Sequence, residues 1–116
     1  MSSSAFSLTE VHSPDAFAVT QGEPVLGGLQ HGTRHYFCSH CKSWLFTRPE
    51  ETEAFVNVRA TMMADAQAFF PFAEVYTDEG LAWARTGATY SFGTVPTEDE
   101  WPGIVAAYQA AQQQDT

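Results

Sequence analysis

Cys38 and Cys41, within Tyr36-Phe37-Cys38-Ser39-His40-Cys41-Lys42, are the two cysteines of this 116-residue chain. Two residues between a pair of thiols let one tight turn offer both sulfurs to a single cation, and a structural zinc takes four ligands in a tetrahedron. The pair therefore reads as half of a zinc site. Two inert buried thiols and a redox dithiol are the other readings of the same spacing. Reactive C-x-x-C pairs stand at a helix N-terminus, which favours the thiolate. Here Trp44-Leu45-Phe46 follows, a β-type run, so the redox reading requires exposed and readily oxidised thiols. Imidazole is also a normal zinc ligand. His40 lies inside the turn and His35 precedes Cys38 by three residues, so either is a candidate third ligand. A tight C-x-x-C turn points its inner side chains away from the metal, which places His40 at the surface. His12 and His31 fall in loops with no evident partner.

Other chemistry is thinner. Glu50, Glu51 and Glu53 imitate a carboxylate cluster, but an acidic run in a loop is ordinarily a solvated face. No phosphate loop and no G-x-S-x-G nucleophile elbow is present. Trp44, Trp83 and Trp101 read as core side chains, one of which could line a pocket.

The elements that position the cysteines follow from local pattern. Thr33 to Phe37 approaches them as a strand and Ser43 to Thr47 leaves as one, giving the strand–knuckle–strand setting of a zinc ribbon half-site. Ala5 to Val11 roughly alternates apolar and polar residues and reads as a strand. Ser13 caps a helical turn with Pro14 at its first position. Phe17 to Thr20 begins another strand, ended by Gly22-Glu23-Pro24. Val25-Leu26 leads through glycines into a polar loop, and Gly32 marks a turn. Phe55, Val56 and Val58 give a further strand, and Ala64 to Ala68 a short helix. Phe72 to Thr77 is β-rich, turns at Asp78-Glu79-Gly80, and Leu81 to Trp83 pairs back onto it. Trp101, Ile104, Val105 and Tyr108 fall at i, i+3, i+4 and i+7, so the chain ends in an amphipathic helix. Thr97 and Glu100 form its capping box. The expected architecture is mainly β, with antiparallel sheets, short helices and a C-terminal helix, in one domain over residues 1–116.

Nine Phe, four Tyr and three Trp supply ample core material. Fourteen acidic residues against five basic give a formal charge of −9. Such a surface repels phosphate backbones and anionic lipid, so no nucleic acid and no membrane partner is expected. No apolar run is long enough to span a bilayer, and the N-terminus lacks the basic and apolar regions of a secretory signal. The expected location is cytoplasmic, where a cysteine pair is not a structural disulfide.

Arg34-His35-Tyr36-Phe37-Cys38-Ser39-His40-Cys41-Lys42-Ser43-Trp44-Leu45-Phe46 resembles the R-x-F-C-x-x-C-G-x-x-L-F signature of the glutathione-dependent formaldehyde-activating enzymes, a family that includes the centromere protein V relatives. One more residue separates Arg34 from Phe37 here. The resemblance begins with Ser3-Ser4-Ala5-Phe6, continues through Phe17-Ala18-Val19-Thr20-Gln21-Gly22-Glu23-Pro24, and ends with the Pro71–Trp83 segment. It implies a β-tent fold with two cysteine-held zincs: one closed structural site, and one three-thiolate site left open for chemistry. The implied activity is that of a carbon–sulfur lyase, joining formaldehyde to the glutathione thiol to give S-hydroxymethylglutathione. An open zinc position suits that task. Cys38 and Cys41 match the structural pair alone; the early C-x-C and the catalytic C-x-C-x-x-C have no counterpart, and Lys42 stands where the family has Gly. The expectation is therefore a C-terminal part of such a domain, begun at an internal Met, with half of its structural zinc site and no catalytic zinc. A short relative that has lost its metals is the alternative to that fragment. A glutathione-type small molecule is the implied partner, for whose carboxylates Arg34, Arg59 and Arg85 are candidates, although surface ion pairing among fourteen acids is the simpler account of the three. The second expectation is a non-catalytic module that associates with itself, a homodimer bringing two C-x-x-C pairs around one zinc.

Overall fold

In a computed structural model of the chain, residues 4–27, 32–50 and 54–114 are described. The chain divides into two compact units, Met1–Phe69 and Phe70–Thr116.

The first unit is built on a five-stranded antiparallel sheet in the order β1-β5-β4-β3-β2. Its strands are β1 (Thr9–His12), β2 (Val25–Gly27), β3 (Thr33–Phe37), β4 (Trp44–Pro49) and β5 (Val56–Arg59). Aromatic and β-branched residues dominate β3, β4 and β5, as suits a pleated, half-buried surface. Successive side chains take opposite faces. One face packs apolar residues: Phe46 and Val56 are buried, the Tyr36 ring stacks on Phe46 at 4.6 Å, and Phe17 tilts onto Phe46 at 4.8 Å. The other face carries His35, Thr47 and Asn57, joined by the register His35↔Thr47 and Thr47↔Asn57.

Several local expectations shift. The first strand spans Thr9–His12 and reaches toward the N-terminus by one more bond, Ala60 N–H to Leu8 O. The Pro14–Ala16 turn forms as a 3₁₀ turn, but the Ser13 side chain makes no cap bond; its carbonyl accepts from Ala16 instead. Phe17 to Thr20 joins no ladder, and Phe17 is engaged through its ring. Val25–Gly27 is a strand, because it finds β3 alongside it.

The second unit has a parallel pair, β6 (Ala73–Glu74) with β7 (Tyr90–Ser91), and the helix α1 (Trp101–Gln114). Leu81 to Trp83 does not pair back: Ala82–Ala84 is a 3₁₀ turn, and Trp83 is 77% exposed rather than core. What lies against Tyr76–Asp78 is Phe92–Thr94, through three backbone bonds of 2.7–3.2 Å. The inward face of α1 is Ile104, Ala107, Tyr108 and Ala111, with Tyr108 against Phe72 at 5.3 Å. Trp101 and Val105 are exposed. The period is the expected one, but its origin is rotated toward alanines that carry little apolar weight. Glu100 returns to both the N–H and the hydroxyl of Thr97, at 3.2 and 3.0 Å, which is the reciprocal half of a capping box. Among the described residues no helix is long and apolar enough to cross a membrane.

Candidate functional site

The cysteines lie on the hairpin between β3 and β4. Cys38 N–H donates to Ser43 O at 2.8 Å, and Lys42 N–H donates to Cys38 O at 2.9 Å, closing the turn. Lys42 has φ +62°, a left-handed conformation that glycine takes without steric cost. The substitution at this position therefore leaves the turn in a glycine-type shape, and the Lys42 ammonium donates to Ser39 O. On leaving the turn the pairing skips one residue, from Phe37↔Trp44 to Tyr36↔Phe46, so Leu45 forms a bulge.

Cys41 is exposed and Cys38 half-buried, and both are free thiols. Inert burial does not describe Cys41. Its sulfur lies 3.2 Å from Ser43 Oγ. Hydrogen bonds from the Ser43 hydroxyl, then the Ser43 backbone and the Cys38 thiol, bring the Cys41 thiol down to about 7. A sulfur that accepts hydrogen bonds as an anion is prepared to be a thiolate, the form that ligates metal.

His35 and His40 do not join the cysteines as a third ligand. Among the described residues no group of three or more His, Cys, Asp or Glu side chains could hold a metal ion. His40 is exposed on the turn. His35 is 6% exposed in the sheet, with Nδ1 2.7 Å from Thr47 Oγ1, Nε2 3.3 Å from Thr33 Oγ1, and its ring edge-on to Trp44 at 5.2 Å. Burial pushes its pKa below the ordinary value, favouring the neutral ring. Thr47 Oγ1 also accepts the Trp44 indole N–H at 3.0 Å, so one hydroxyl ties an imidazole and an indole together. The Arg59 guanidinium lies over the Trp44 ring at 4.5 Å. This polar group was not legible as a unit, because the bulge at Leu45 alters the parity that a strand pattern assumes.

The remaining candidates separate. His12 lies in β1, not in a loop, with Nε2 2.9 Å from Glu10 Oε1. His31, Glu51 and Glu53 lie outside the described residues, and Glu50 is exposed. Arg85 is taken up by Glu74 at 3.6 Å and Ser91 at 3.5 Å. Arg34 stands directly opposite Arg48, a residue that the sequence pattern does not single out. The donors that the structure brings together are two thiols on one turn, and among the described residues no third His, Cys, Asp or Glu joins them; two thiols are half of the four ligands a tetrahedral zinc takes.

A family model for the glutathione-dependent formaldehyde-activating enzyme matches residues 1–79. No curated protein and no solved structure matches the chain.

Proposed function

The chain belongs to the glutathione-dependent formaldehyde-activating enzyme family, and from that premise we propose that Cys38 and Cys41 supply half of a structural zinc site in a domain that does not itself hold the catalytic zinc. The observation that carries this reading is the β3–β4 turn, which presents one exposed and one half-buried free thiol while keeping a glycine-type backbone at Lys42. A zinc bound there, with ligands from elsewhere, would pin the hairpin; the chemistry ascribed to the family needs a second metal with an open position. This chain has two cysteines in all, both in one turn, so three further thiolates are not available within it. Its ligand on this reading is a glutathione-type thiol, for which the sheet is the scaffold and not the reacting group.

The test pairs metal content with activity. Zinc uptake is expected to require both thiols and to disappear in the Cys38→Ser/Cys41→Ser double variant. With zinc, glutathione and formaldehyde, adduct formation is expected to stay at the uncatalysed rate. Zinc retained by the double variant removes the half-site; adduct well above background removes the assignment of a chain without a catalytic metal. Mass in solution, read on the same sample, reports whether two chains share one ion.

A further inference from the structure

Arg34 on β3 and Arg48 on β4 are direct cross-strand partners. Residues so paired project from one face with Cβ atoms about 4.5–5.5 Å apart, and like charges in that position repel. The chain has fourteen acidic residues against five basic, so carboxylates are plentiful. Yet among the described residues the ion pairs are His12–Glu10 and Arg85–Glu74, and neither Arg34 nor Arg48 has one. Arg34 Nε is buried without a hydrogen-bond partner. A buried donor left unpaired costs free energy that a ligand acceptor would recover.

The surroundings say what kind of acceptor fits. The Arg48 guanidinium lies over Phe17 at 5.5 Å and over Phe46 at 5.6 Å. Tyr36 and Phe46, two residues along from the arginines on the same face, are themselves cross-strand partners with stacked rings. Two arginines thus share a sheet face with the half-exposed rings of Phe17 and Tyr36. Guanidinium forks match a carboxylate two bonds at a time, and the rings offer contact to an apolar body. The net charge of −9 works against a polyanion at long range, while two adjacent cations attract a small anion at short range.

We propose that this face of β3 and β4 is a binding site for a small organic carboxylate, its oxygens bridging Arg34 and Arg48 and its apolar part resting on the half-exposed rings of Phe17 and Tyr36. The site uses neither cysteine and stands apart from the zinc reading.

Benzoate is a suitable probe, with benzamide as its uncharged counterpart and inorganic phosphate as the anion without an apolar body. In nuclear magnetic resonance titrations of the full chain, benzoate is expected to shift the Arg34, Arg48 and Phe17 signals with a dissociation constant on the order of millimolar or below. Benzamide should bind at least about tenfold more weakly, as should benzoate to Arg34→Gln or Arg48→Gln, since each removes a charged hydrogen-bonding partner. Arg85→Gln should bind like the wild type. In the absence of ligand, Arg34→Gln should melt no lower than the wild type, because it relieves repulsion and breaks no ion pair. Arg34→Lys keeps the charge but loses the fork, and should fall between the two. Equal binding of benzoate and benzamide, phosphate binding as tightly as benzoate, no saturable shift, or variants at both arginines that bind unchanged would each overturn the proposal. The comparison among ligands uses unaltered protein, so it decides the matter whether or not a variant folds.

Discussion

Thr47→Val tests the polar tie at the centre of the sheet. The Thr47 side chain belongs to a residue 7% exposed, and its one oxygen serves both His35 Nδ1 at 2.7 Å and Trp44 Nε1 at 3.0 Å. Valine keeps the shape and the β preference, so what changes is the oxygen. Loss of the bond costs about 1–3 kcal/mol at the buried His35 ring and less at the half-buried Trp44 indole. The methyl that replaces the hydroxyl returns up to about 0.8 kcal/mol of apolar burial. The net loss is then roughly 1–3 kcal/mol, a large share of the ~5–15 kcal/mol that holds a domain folded. At this size that lowers Tm by about 4–12 °C. The assay is urea unfolding followed by Trp fluorescence and circular dichroism, with m compared to detect a changed denatured state. Thr47→Ser, which keeps the oxygen, should recover most of the loss. A Thr47→Val protein within about 0.5 kcal/mol of wild type refutes the reasoning, because exposed or alternative partners would then be satisfying both rings.

Two other perturbations follow from local geometry. Lys42→Gly should be neutral or stabilising by up to about 1 kcal/mol, since the left-handed backbone costs a side chain ~1–2 kcal/mol and glycine's extra unfolded freedom returns only part of that; a loss above about 1 kcal/mol in thermal unfolding would contradict the φ of +62°. Glu74 is held below the ordinary carboxylate range by the Ser91 hydroxyl first, then the Thr86 N–H and hydroxyl, with Arg85 a lesser cause. A depressed folded-state pKa contributes stability above the unfolded value of roughly 4.3, lost as pH falls through the folded value. Wild-type stability should therefore drop in that acid window by more than that of Glu74→Gln, and identical pH profiles would show that the contacts to Ser91 and Thr86 carry no preference for the anion.

The hairpin that carries the thiols was legible because everything defining it is local. Thr33–Phe37 has β-branched and aromatic residues, the cysteine spacing marks the turn, and the strand beyond it is apolar. The mainly β class follows from the same signals repeated along the chain. What escaped depends on pairing between distant segments. The partner of Ala73–Glu74 is Tyr90–Ser91 in parallel, and no periodicity in two-residue strands announces a partner or its direction. Helix α1 was found by period but its buried face was displaced, since Ala107 and Ala111 weigh little against Trp101 and Val105. Arg48 gave no sign of importance until β3 lay beside β4 and set it against Arg34. Thr47 was an ordinary strand residue until the bulge brought Trp44 to its oxygen.

Phe46 and Thr47 are consecutive and both buried, one on each side of the sheet. Their strand begins at the cysteine turn, so the number of residues in that turn sets which side each of them meets. Shortening the loop by one would carry the phenyl ring to the hydroxyl's place and the hydroxyl into the aromatic stack. The gap between the two sulfurs is thus also a gauge for the sheet beyond it, independently of any cation the thiols hold.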